Sequence, residues 1–154
     1  MTDAAAFHSA AEEFYGADED TLFEQIGLRQ SAMQRDLGVA AQLSPQVTAD
    51  DGVLSAREDL LNLGRRIYRR VSREVHAILC GDDEDDRQDR AALRDALQLT
   101  DVALAAALTP VLISLAVPPP LAPLIAALLV RRVIVPAAGE VCDFWTEQLE
   151  AGAA

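Results

Sequence analysis

The sequence predicts an all-α fold, a single compact bundle of about six or seven helices around a central apolar helical hairpin at 102–135. Three observations carry that expectation. The 154 residues are 51% apolar but only 5% aromatic, so the core is built from Leu, Val, Ile and Ala, and Ala and Leu favour helix. Apolar residues recur at helical spacing in several segments, with no alternating run bounded by turns to suggest a strand. Finally, the stretch from Val102 to Val130 carries no charge and is split by Pro118-Pro119-Pro120, the punctuation of a hairpin. The length fits one domain, and a chain this size can bury about 70% of its unfolded surface without a disulfide or metal.

Residues 3–15 read as a short helix with Phe7, Ala10, Ala11 and Phe14 on one face, ended by Gly16. Asp18 to Thr21 supply the cap and first-turn acids of a second helix at 20–37. Its apolar positions are Leu22, Phe23, Ile26, Met33 and Leu37, and Gly38 is its stop. Residues 38–54, with Ser44-Pro45 and Asp50-Asp51-Gly52, read as a loop. Ser55-Ala56-Arg57-Glu58 matches a capping box for the third helix. There Leu60, Ile67, Tyr68, Val71, Val75, Ile78 and Leu79 share one arc, while Arg65, Arg66, Arg69, Arg70 and Arg73 occupy another. Gly81 closes it. The acidic run Asp82–Asp86 leads into a fourth helix at 85–98.

The hairpin arms follow at 102–117 and 121–135. Pro123 falls in a first turn, where proline is tolerated. Pro110 lies mid-arm and is expected to kink or divide the helix. Pro136 and Gly139 end the second arm. A last helix at 139–150 offers Val141, Cys142, Trp145 and Leu149 as its apolar side.

An apolar stretch on all faces is buried on all faces, in protein or in lipid. A spanning helix wants about 20 apolar residues, and the arms are shorter. Arg131-Arg132 interrupt the second arm. The strong apolar residues of the first arm offer about −3.6 kcal/mol of insertion energy, from which Pro110, Thr109 and Ser114 subtract. The amphipathic helices on either side each need an apolar surface to cover, so a soluble core is favoured over a membrane element. The arrangement resembles pore-forming colicin domains and apoptosis-regulator folds, which also wrap an apolar hairpin in amphipathic helices. That resemblance implies the alternative of a membrane-inserting or pore-forming effector using 102–135.

The formal net charge is −12, and all 13 basic residues are arginine. Such a chain repels phosphate backbones, which excludes duplex nucleic acid as a general partner. The one basic region is 55–80, with six Arg against three acids. Its five-arginine arc suits carboxylate pairing, either to a protein partner or in cis to Asp82–Asp86. Within it, Arg70-Val-Ser-Arg-Glu-Val-His76 resembles the Arg-x(4–6)-His pattern of HEPN ribonucleases, all-α proteins in which such residues contact the scissile RNA. The resemblance implies that Arg70 positions phosphate and His76 moves protons. On a helix the two lie about 120° apart, and the competing reading is a solvated arginine face.

Cys80 and Cys142 have no CxxC context and no ligand spacing with His8 or His76, so no metal is expected. They read as reduced, buried small hydrophobes. The first residues lack the basic start and apolar run of a signal peptide, and the expected location is cytoplasmic. Counted from Asp82, the acidic run has Arg87 and Leu93 where a calcium loop needs Gly and Glu. No phosphate loop or hydrolase motif occurs, and no cofactor is expected. The functional expectation is a non-catalytic helical interaction or adaptor protein, or a small subunit of a larger assembly. Bacterial conflict and defence systems use small helical proteins of this kind. Its partner surface is Arg65, Arg66, Arg69, Arg70 and Arg73, an acidic face of the second helix, or both.

Overall fold

The computed structural model describes residues 3–45, 47, 56–137 and 140–152. Seven α-helices lie within them: α1 (Asp3–Tyr15), α2 (Glu19–Arg35), α3 (Arg57–Leu79), α4 (Arg87–Ala96), α5 (Asp101–Ser114), α6 (Ala122–Leu129) and α7 (Val141–Glu150). Short 3-10 turns occupy Leu37–Ala41 and Glu84–Asp86, and a π-turn at Val130–Ile134 extends α6. No strand occurs among the described residues.

The hairpin is central. Every residue of α6 is buried, as an element without a polar face must be. It contacts α1, α2 and α5, and α4 packs on α5. One hydrophobic cluster joins Phe14, Leu22, Ile26, Tyr68 and Trp145 to the hairpin. No helix among the described residues is long and apolar enough to cross a membrane.

α2 and α3 pack most closely, and glycine makes this possible. A Cβ on Gly64 would stand 1.9 Å from the Phe23 carbonyl oxygen, and one on Gly27 would stand 2.4 Å from that of Leu60. The two backbones thus touch at reciprocal points. On the buried side of this pair, the Phe23 and Tyr68 rings meet edge to face at 5.8 Å.

Several boundaries differ from the sequence expectation. α2 stops at Arg35, where Asp36 breaks the helical backbone and caps the following 3-10 turn. Leu37 is therefore 85% exposed rather than part of the apolar face. The N-cap of α3 is Ala56, with no side-chain cap bond; Ser55, the expected capping residue, lies outside the described residues, as does Gly139. Pro110 does not divide α5. A proline inside a helix removes one hydrogen bond, but packing against α1, α4 and α6 holds the turn together. Thr109 turns its hydroxyl back to the Ala105 carbonyl, at 2.8 Å.

The first arm ends at Ser114, short of 117. Ala116 takes a left-handed backbone (φ 74°). Val117 N–H reaches back to the Leu112 carbonyl and Ala116 N–H to that of Ile113, both at 3.0 Å, the paired bonds of a Schellman stop. The second arm widens into the π-turn, where Val135 N–H bonds the Val130 carbonyl at 2.9 Å. This turn carries Arg131 and Arg132. Arg131 donates to the Ala17 carbonyl just beyond α1. Arg132 faces Glu19 at 3.7 Å and lies 5.5 Å from the centres of both the Phe23 and Tyr68 rings.

The cysteines correct the expectation of reduced, buried thiols. Cys80 and Cys142 form a disulfide with a Cα–Cα separation of 5.7 Å. Cys142 is exposed and Cys80 half-buried. The pairing could not be read from two residues 62 positions apart in sequence, because it depends on α7 folding back onto the end of α3. Disulfides persist mainly in oxidising compartments, so the thiol chemistry no longer supports a cytoplasmic location.

Candidate interaction surface

α3 has two faces of opposite character. Leu60, Ile67, Tyr68, Val71, Val75 and Leu79 are buried, while Ile78, expected among them, is only partly covered. On the other side Arg66, Arg69, Arg70 and Arg73 are all exposed. Their spacing (i, i+3, i+4, i+7) makes one continuous stripe along the helix. Arg66, Arg69 and Arg73 have no ion-pair partner among the described residues. Arg70 faces Glu74 at 3.8 Å, with both side chains about two-thirds exposed, a pairing that contributes little.

Arg65 departs from the stripe. Its Nη2 is 3.0 Å from Asp20 Oδ1, its Nη1 donates to Asn62, and its guanidinium lies 5.6 Å from the Phe23 ring centre. It fastens α3 to α2. The carboxylates of α2 are matched in the same way: Glu24 with Arg57 at 3.2 Å, Asp20 with Arg65 and Glu19 with Arg132. The acidic run after α3 does not turn back onto the stripe. Asp83 caps its own 3-10 turn at Asp85 N–H, and Glu84 pairs with Arg87.

Arg70 and His76 are not brought together. His76 Nε2 lies 3.0 Å from Thr146 Oγ1 on α7, and that hydroxyl donates its proton to the Cys142 carbonyl at 2.8 Å. Nε2 therefore carries a hydrogen and donates to Thr146. The imidazole meets the Trp145 ring edge to face at 5.3 Å. Its contacts join α3 to α7, whereas Arg70 points to solvent beside Glu74. No group of three or more His, Cys, Asp or Glu among the described residues could hold a metal ion.

Beside the stripe lies a cavity of about 310 Å³ lined by Arg70, Val71, Glu74, Val75, Ile78 and Leu115. Sequence reasoning found the arginines but missed this apolar border, because Leu115 arrives from the end of the hairpin. No protein-family model, curated protein or solved structure matches the chain.

Proposed function

We propose that the protein is a non-catalytic helical interaction protein, an adaptor or small subunit, that docks an acidic partner through Arg66, Arg69, Arg70 and Arg73. The observation that carries this reading is four exposed guanidinium groups in one stripe, three of them without an ion-pair partner among the described residues. Arginine forms bidentate contacts to carboxylates and is enriched in interfaces. The α3 stripe is preferred to the acidic face of α2, where Glu19, Asp20 and Glu24 each face an arginine of the same chain. The partner that fits is a protein segment with a run of carboxylates and one apolar side chain. The carboxylates meet the stripe, and the apolar group enters the cavity between Ile78 and Leu115.

Exposed charges add little to folding, so this surface can be changed without disturbing the bundle. The test is capture from lysate with the wild type and with Arg66→Glu/Arg70→Glu, followed by rebinding of the identified, purified partner. Expected are an acidic partner, at least tenfold weaker rebinding by the double variant, strong weakening by salt, and an unchanged melting temperature. Equal rebinding by the double variant overturns the assignment.

A further inference from the structure

Arg29 lies on the buried side of α2, between Ile26 and Met33, and is only 3% exposed. Its Nη1 donates to the Pro120 carbonyl at 2.8 Å and, at a longer 3.4 Å, to that of Leu43. Its guanidinium carbon is 4.9 Å from the Phe14 ring centre. Nε is buried without a hydrogen-bond partner. No carboxylate of a described residue forms an ion pair with it. Burial lowers its pKa to about 10, against the opposing pull of the Glu13 charge. A guanidinium held out of water without an ion-paired carboxylate is costly.

The same arginine lines a cavity of about 380 Å³ between α1, α2 and the segment after the first 3-10 turn. That volume is in the range of small-molecule sites. Gln25 stands one turn before Arg29 on the same side of α2, and Ser44 lines the facing wall. Thr21 also borders the space, but its hydroxyl proton is spent on Asp18, at 2.7 Å. Among the described residues, Gln25 and Ser44 are thus the neutral side-chain donors lining it. Glu13, exposed on α1, is the one carboxylate lining the opening among the described residues.

We infer that this cavity binds a small oxyanion, a carboxylate or phosphate group, with Arg29 as its counter-charge and Gln25 and Ser44 as hydrogen-bond donors. Arginine pairs with both groups by charge-assisted hydrogen bonds. Glu13 competes for the same charge and sets how tightly the anion is held. The inference does not depend on the α3 docking surface, which lies on different residues.

The test is calorimetric titration of the full chain with sodium succinate, sodium acetate and sodium phosphate, at constant ionic strength against chloride. Three variants are compared with the wild type: Gln25→Glu, which places a carboxylate in the cavity; Glu13→Gln, which removes the competitor; and Arg29→Gln. Saturable one-site binding is expected in the wild type, weakened at least tenfold by Gln25→Glu and tightened several-fold by Glu13→Gln. Because Arg29→Gln also removes the bonds to Pro120 and Leu43, the two milder variants keep the test independent of folding. Binding of the carboxylates alone or of phosphate alone supports the site and assigns its ligand. No saturable binding of any of the three, or binding unchanged by Gln25→Glu, overturns the proposal.

Discussion

Trp145 of α7 donates its indole N–H to the Ser72 hydroxyl of α3 across 2.9 Å, with both side chains buried. This bond, the His76–Thr146 contact and the Cys80–Cys142 disulfide are three ties between the same two helices. The disulfide closes a loop of 62 residues. On chain-entropy grounds such a loop is worth about 4 kcal/mol. Cys142→Ser is expected to lower the urea midpoint, with a steeper slope because the unfolded chain without the cross-link exposes more surface. Trp145 is the sole tryptophan, so its fluorescence follows this region directly. Adding a thiol reductant to the wild type should reproduce the loss and have no effect on the variant. A midpoint insensitive to reductant would contradict the pairing.

The α2–α3 contact predicts a second effect. Gly64→Ala would place a methyl group 1.9 Å from the Phe23 carbonyl oxygen, a backbone atom that cannot rotate away. In an open helix that change stabilises by up to about 1 kcal/mol. Here the helices must separate, and a loss of about 2–3 kcal/mol is expected. Chemical denaturation measures the sign, and a stabilised variant would show that the helices do not approach this closely.

Much of this architecture could be read from the residues in order. The uncharged run and its Pro118-Pro119-Pro120 break placed the hairpin, and the two arcs of α3 separated its buried face from its arginines. Gly27 and Gly64 read in the sequence only as a cost to their helices relative to alanine, and the α2–α3 crossing shows what they are for. Arg29 falls in register with Leu22, Ile26 and Met33, which marks it for burial. The π-turn was not legible: it arises where Arg131 and Arg132 reach Ala17 and Glu19, more than a hundred positions away. The Arg65–Asp20 pair was hidden for the same reason, and only folding shows which arginine leaves the stripe.

Ala116 offers a test of local strain. It is exposed, and its φ of 74° lies in the left-handed region, which costs a residue with a Cβ about 1–2 kcal/mol. Glycine adopts this conformation freely. Ala116→Gly is expected to stabilise the fold by about 1 kcal/mol, raising the melting temperature by about 2–4 °C for a chain of this size. Ala116→Val should do the reverse, since a β-branched side chain fits this backbone worse. A drop in melting temperature for the glycine variant would mean that the hairpin turn is built differently.

Tyr68 predicts the response to alkali. It is fully buried, and its hydroxyl makes no hydrogen bond of ordinary geometry. Burial raises its pKa well above the ordinary value of 10, and the nearby Arg132 charge and Ser72 hydroxyl only partly offset this. In the unfolded chain the phenol ionises near pH 10, while in the folded chain it stays protonated at higher pH. The folded state then holds more protons, so stability is intact below pH 10 and falls above it. The slope from this one group is about 1.4 kcal/mol per pH unit. Tyr68→Phe removes that slope and an unsatisfied buried hydroxyl together. It should be neutral or slightly stabilising at pH 7 and more stable than the wild type above pH 10. Urea midpoints measured from pH 8 to 11 test this, and parallel curves for the two proteins would show that the hydroxyl ionises as readily folded as unfolded.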